Sequence, residues 1–262
     1  MEMRQALCEC LDEMMAENEN IVVIDADLAK PNGTFPLRKK YPERAIDVGI
    51  AEQNMASVAA GMSSYGFIPF ITSFTPFASR RICDQIAISI AYAKQNVKII
   101  GSDPGISAEF NGGTHMSMED IGVLRSIPEL VIYEPVDVAQ FKQALPQIVA
   151  YEGPVYIRMF RKTIDDVFTD ANYKFDLFGA DCIQEGTAVT IFCSGIMVQE
   201  TMKANEILKQ EGIDAEIINI HTIKPIDRDA VVASAKKTGA VVVAENHNVI
   251  GGLTSAVCEV LM

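Results

Sequence analysis
What this chain has little of narrows its function before any motif is considered. Basic residues are scarce: 22 Lys and Arg stand against 35 Asp and Glu, a formal net charge of −13 over 262 residues. No basic stripe offsets that charge. An acidic surface repels phosphate backbones and anionic lipid alike, so nucleic acid and membrane surfaces are excluded as partners. No apolar run reaches the roughly 20 residues that a membrane-spanning helix requires. The N-terminus, Met1-Glu2-Met3-Arg4-Gln5, lacks the basic-then-apolar layout of a secretory signal. No Cys-x-x-Cys occurs and no His/Cys cluster has metal-ligand spacing, so no metal ligand is assigned to this chain. The cysteines (Cys8, Cys10, Cys83, Cys182, Cys193 and Cys258) fall mostly in apolar segments and read as buried, reduced thiols of a cytoplasmic protein. No internal repeat or low-complexity tract is visible.

What is present is enough apolar material for a real core, with 49% hydrophobic residues. Met3, Ala6, Leu7, Cys10, Leu11 and Met14 recur at helical spacing. Ile21–Ile24, Phe67–Ile71, Val97–Ile100, Leu130–Tyr133 and Val155–Met159 read as short buried strands. Helical stretches at 51–64, 76–94 and 137–150 lie between several of them. Short buried strands alternating with helices predict a parallel sheet covered on both faces. A second set follows, with strands at Val189–Cys193, Ala215–Ile220 and Ala240–Ala244 and a helix near 196–211 ended by Gly212. The polar stretch between the sets lacks periodicity and reads as a linker. The expectation is α/β with two doubly wound domains, at 1–165 and 185–262, joined by a linker at 166–184. A three-strand second sheet is small, and the chain stops inside a helical pattern, so a natural chain extending past Met262, or one cut there, is expected.

Several residues carry chemistry. Glu52 stands where an apolar strand gives way to the small-residue helix Ala56-Ser57-Val58-Ala59-Ala60, and by itself it reads equally as an acid complementing the helix dipole. Phe74 and Phe77, at i and i+3, share a helix face and could simply pack in the core. A fixed carboxylate with aromatic faces can hold a flat nitrogen heterocycle and set its protonation state. The glycine-rich loop Gly101–Gly105 and then Asn111-Gly112-Gly113-Thr114-His115 follows a strand end, where ligands gather in open α/β sheets. Asp27 sits at another strand end, and Arg158 and Arg161 at a third; a guanidinium suits an anionic ligand. His221 and His247 read as structural.

The string Asp47-Val48-Gly49-Ile50-Ala51-Glu52-Gln53-Asn54-Met55, with Phe74-Thr75-Pro76-Phe77, Gly113-Thr114-His115 and His221-Thr222-Ile223-Lys224-Pro225-Ile226-Asp227, resembles the transketolase family. The resemblance spans about Asp25 to Ala256. It implies a thiamine-diphosphate pyrimidine-binding domain followed by a smaller transketolase C-terminal-like domain. It implies transfer of a two-carbon ketol unit from a ketose to an aldose. Glu52 would activate the cofactor, and Phe74, Phe77 and Arg80 would contact its pyrimidine. Arg80 stands where transketolases often have Tyr, closer to deoxyxylulose-phosphate synthases. Asp27 would lie near the thiazolium. His115 would serve proton traffic at the substrate, with Asn111, Ser102 and Arg161 as further substrate contacts.

The family's Gly-Asp-Gly for diphosphate and Mg²⁺ does not occur in this sequence. The resemblance therefore implies the second subunit of a split transketolase, inactive alone, with Mg²⁺ held mainly by a diphosphate-binding partner subunit in an α2β2 complex. Ser102 and Pro31 replace the family's phosphate-contacting His and Ser. The substrate tail is therefore either phosphate held by other groups or a different anion such as sulfonate. Alternatives are a half of another thiamine-diphosphate enzyme (deoxyxylulose-phosphate synthase-like, or a 2-oxoacid dehydrogenase β subunit) and a non-catalytic scaffold subunit.

Overall fold
A computed structural model describes residues 1–262, the side chain of Phe110 excepted. Six strands of the N-terminal section are β1 (Ile21–Asp25), β2 (Ala45–Asp47), β3 (Ile68–Phe74), β4 (Lys98–Ser102), β5 (Val131–Tyr133) and β6 (Val155–Met159). They pair in parallel in the order β5-β6-β4-β3-β1-β2. The five residues of each of β1, β4 and β6 are buried throughout, the pattern of strands covered on both faces. One face is closed by the helices Met3–Glu17 and Val138–Ala150, which place Leu7, Leu11, Phe141 and Leu145 against Ile21, Val23 and Ile157. Fully burying such a side chain stabilises by about 1.5–3 kcal/mol. The helix Glu52–Ser63 lies on the other face. Its buried Met55, Ala56, Ala59 and Ala60 bring it close to Ile24 and Ile71.

The second section contains β7 (Asp181–Gln184), β8 (Val189–Cys193), β9 (Ala215–Asn219), β10 (Thr222–Lys224) and β11 (Val241–Ala244). Its own sheet runs β11-β8-β9-β7, parallel except for β7. The helices Met197–Gln210, Arg228–Thr238 and Leu253–Leu261 accompany it.

The structure departs from the sequence reading at four places. The end of the stretch read as a linker, Asp181–Gln184, is an edge strand antiparallel to β9, so the second sheet has four strands rather than three. Thr222–Lys224 leaves that sheet and pairs antiparallel with β5, giving the first sheet a seventh strand from the other half of the chain. The short β2 went unread because only three residues pair and their exposure grades outward. The helix expected over 76–94 is broken into a turn at Thr75–Ala78, a 3-10 turn at Arg80–Ile82 and a π-helical stretch at Gln85–Tyr92. Ser79, at φ −127° and ψ −91°, interrupts it. Such irregular helix geometry recurs at functional sites.

The two sections are joined through Arg158, which is fully buried. Its guanidinium donates to Asp120, Glu134 and the carbonyl of Asn246. Ser194 of the second section donates to the other Glu134 oxygen at 2.6 Å. Asn246 also fixes the loop after β4: it donates to Pro104 O and accepts from the Ile106 N–H, both at 3.0 Å. Gly105, at φ +58°, has to be glycine here, because a Cβ would strike the Asn246 side chain. Among the described residues, no helix is long and apolar enough to cross a membrane.

Candidate active site
The parallel strands end together, and the residues just past β1, β2, β3, β4 and β6 face one another there, the place where open α/β sheets bind ligands. At the ends of β1 and β2, Asp47 Oδ1 accepts the N–H groups of Asp27 and Gly49 at 3.0 and 2.9 Å. Arg38 bridges Asp25 and Asp47 at 2.6 and 2.9 Å. Burial pushes the Asp25 carboxyl up against the pull of Arg38. With β2 stopped in this way, the chain turns at Gly49 (φ +73°) and Glu52 opens the helix Glu52–Ser63.

Glu52 is only 4% exposed. Its Oε1 accepts from Arg81 Nη1 at 2.6 Å, and among the described residues its Oε2 accepts no hydrogen bond. The Arg81 guanidinium carbon lies 3.8 Å from the centre of the Phe77 ring. Phe77, Phe74 and His115 form an aromatic triangle with centroids 5.4, 5.5 and 6.2 Å apart. Phe74 ends β3, and Thr75 fixes the turn by donating to Ser102 O at 2.9 Å. The Nδ1 of His115 is hydrogen-bonded with the Thr114 hydroxyl at 2.8 Å. The Arg161 guanidinium carbon is 5.0 Å from the Phe74 ring centre, and its Nε donates to Asp103.

Five residues singled out in the sequence thus come together: Glu52, Phe74, Phe77, His115 and Arg161. The others stand apart. Arg80 turns to Glu119 instead of the aromatic triangle, because the turns on either side of Ser79 rotate it away and bring Arg81 to Glu52. Ser102 is fully buried, and its hydroxyl donates inward to Asn32 Oδ1 at 2.7 Å, so it offers nothing to a ligand. Arg158 spends its donors on the seam between the sections and is no anion anchor. Asn111 is exposed on a short 3-10 segment, and Asp27 is exposed at φ +61°; neither joins the cluster. His221 lies buried against Phe175 and Tyr133, and burial pulls its pKa down to about 4. His247 Nε2 accepts from Gly122 N at 3.4 Å.

Three functional positions had no reading in the sequence: Arg81, Asp103 and Asn246. Their partners are distant in the chain, and only the doublet Arg80-Arg81 gave a hint. Away from the cluster, Cys182, Glu185 and Glu216 place their ligand atoms within 4.8 Å of one another. The Lys237 ammonium already pairs with both glutamates, so their charge is partly neutralised.

A shielded carboxylate with one free oxygen beside aromatic faces fits the aminopyrimidine of thiamine diphosphate. The comparisons agree with that geometry. Residues 1–165 match the family model of the transketolase pyrimidine binding domain, and residues 179–262 match that of the transketolase C-terminal domain. The chain is 52% identical over 259 residues to the 6-deoxy-6-sulfo-D-fructose transketolase subunit SqwH of Clostridium sp. (strain MSTE9), covering 99% of this chain and 80% of that one. It is 31% identical over 258 residues to an apulose-4-phosphate transketolase subunit of Phocaeicola vulgatus, covering 98% of this chain and 83% of that one. A solved structure described as a split gene transketolase, inactive beta4 tetramer, superposes with a TM-score of 0.90 at 42% identity, over 100% of this chain and 85% of that one. The chain belongs to the transketolase family, as the second subunit of a split, thiamine-diphosphate-dependent transketolase.

Proposed function
We propose that this subunit supplies the pyrimidine side of an active site shared with a diphosphate-binding partner, and that its donor substrate is a ketose with a sulfonate tail. The observation that carries the first half is Glu52, buried at a helix start beside Phe77, in a sequence without Gly-Asp-Gly. The partner then holds the diphosphate and Mg²⁺, in an α2β2 complex in the cytoplasm. A structural relative of this type is described as an inactive tetramer of β chains, which supports the need for a second kind of subunit.

Thiamine diphosphate, when bound, supplies the electron sink for breaking and making the carbon–carbon bond. The protein's own residues orient and shield. Glu52 Oε2 is free to share a proton with the pyrimidine, and its burial strengthens that interaction. Phe74 and Phe77 bound the flat ring and keep water out. His115, edge-on to both rings, has one ring nitrogen without a hydrogen-bond partner among the described residues. It can donate to a sugar oxygen or take its proton. Asp27, exposed on its left-handed turn, would balance the thiazolium charge.

For the tail, Ser102 is turned inward and Arg161 lies at the edge of the aromatic triangle. The sulfonate is favoured over phosphate because the 52%-identical relative is named for a sulfofructose. The test is to assemble the two-subunit complex and titrate thiamine diphosphate with Mg²⁺ by calorimetry. Turnover of 6-deoxy-6-sulfofructose is then compared with that of fructose 6-phosphate. Glu52→Ala is expected to abolish turnover of both donors while leaving the fold intact; near-wild-type activity in that variant would overturn the assignment. Preference for the phosphate would shift the tail reading alone.

A further inference from the structure
Asp103 is an awkward residue for its place. It follows the last residue of β4 with φ +54°, a left-handed backbone that a side chain other than glycine adopts at a cost. It is also 1% exposed, and burial pushes its carboxyl pKa up. Structures keep such a residue when its side chain has a task.

Its contacts all lead to the end of β6. The Asp103 N–H donates to Met159 O at 2.9 Å, carrying the β4–β6 ladder one residue further. Oδ1 is 3.4 Å from the Arg161 N–H that points to it, and Oδ2 accepts from Arg161 Nε. The Arg161 side chain is 14% exposed and approaches the Pro31 carbonyl through Nη1 at 3.4 Å. Among the described residues its Nη2 donates to nothing. A guanidinium held at Nε and laid beside an aromatic ring keeps one edge of its fork for a ligand.

We infer that Asp103 is a positioning residue for the anionic tail of the ketose: it holds Arg161 at Nε, beside Phe74, so that the free guanidinium edge meets a tetrahedral oxyanion. The inference rests on the proposed transketolase reading and deepens it. The alternative is that Asp103 and Arg161 merely staple the ends of β4 and β6.

Kinetics of the assembled complex separate the two roles. Three donors serve: 6-deoxy-6-sulfofructose, fructose 6-phosphate and uncharged fructose. Asp103→Asn is the variant of choice, since asparagine tolerates the left-handed backbone and keeps the shape. The expected result is a rise of about tenfold in KM for the preferred anionic donor, with kcat and the kcat/KM for fructose within about twofold of wild type. Whichever anion shows the Asp103 dependence identifies the tail. Arg161→Lys gives the second arm: adding Asp103→Asn to it is expected to cause little further loss, because the carboxylate acts through the fork of the guanidinium. Equal losses on charged and uncharged donors, or no loss at all, would overturn the inference and leave the transketolase reading standing. A wild-type complex with no ketol transfer from any of the three donors would take both down.

Discussion
Arg158 and Arg161 leave the same strand end three residues apart, yet they do opposite work. Arg158 is sealed between the two sections, and two carboxylates and a backbone carbonyl engage its donors. Arg161 has a single carboxylate, at Nε, and a free edge beside Phe74. The number of acceptors sharing a guanidinium's cavity, rather than the residue type, thus separates a fully engaged clamp from an arginine with a donor to spare. The same contrast separates the two buried glutamates of the first section. Glu134 is engaged on both oxygens, by Arg158 and Ser194, whereas Glu52 has only Arg81.

That contrast can be broken by substitution. Arg158→Met is expected to have the largest effect on folding. It leaves Asp120 and Glu134 buried without their cation, and removing one partner of such a cluster costs about 3–5 kcal/mol. Arg161→Met also strips the cation from a buried carboxylate, Asp103, but from one rather than two, so it is expected to cost less than Arg158→Met. Denaturant unfolding of both variants checks the pair, and similar losses would erase the distinction.

Arg81→Gln probes the other contrast. It removes the salt bridge to Glu52 and the stacking on Phe77, each worth on the order of 1 kcal/mol or less at a partly exposed site. The expected outcome is thiamine diphosphate binding weakened about fivefold in the assembled complex, with the melting temperature lowered by no more than a few degrees. Tighter binding by calorimetry would mean instead that Arg81 occupies the place of the ring.

The smallest effect concerns the far end of the seam, where Asp181 accepts from Gln140, Asn219 and Tyr173, and His221 Nε2 lies 3.8 Å away. Burial raises Asp181 to about 6 and lowers His221 to about 4. Between the ordinary carboxylate pKa and 6 the folded state holds the Asp181 proton more tightly, so this group makes stability fall as pH rises. Between 4 and 6.5 the unfolded state holds the His221 proton more tightly, so this one makes stability rise. The two slopes oppose each other. In Asp181→Asn, stability is expected to climb more steeply from about pH 4 to 6 than in wild type. Parallel melting-temperature curves for the two proteins would refute it.

Much of this was legible in the sequence because it depends on near neighbours. The buried runs of β1, β4 and β6 declared themselves as strands, and the small-residue pattern after Glu52 declared the helix that carries it. Phe74, Phe77, His115 and Arg161 were readable because the short motifs that carry them resemble those of the transketolase family. β7 and β10 were not readable: Thr222–Lys224 gains its pairing only from β5, some ninety residues earlier in the chain. Arg81 was hidden by a one-residue ambiguity that a regular helix would not have created.

Local order, core composition and the placing of Glu52 at a helix start were therefore set by the sequence alone, since period and turn chemistry act over a few residues. Tertiary structure decided which arginine clamps and which one keeps a free edge, that Ser102 faces inward, and that Arg81 rather than Arg80 meets Glu52. The physical reason is that the role of a charged group is fixed by the partners that share its cavity. For Arg158 those partners stand 24, 38 and 88 positions away and meet it only when the chain is folded.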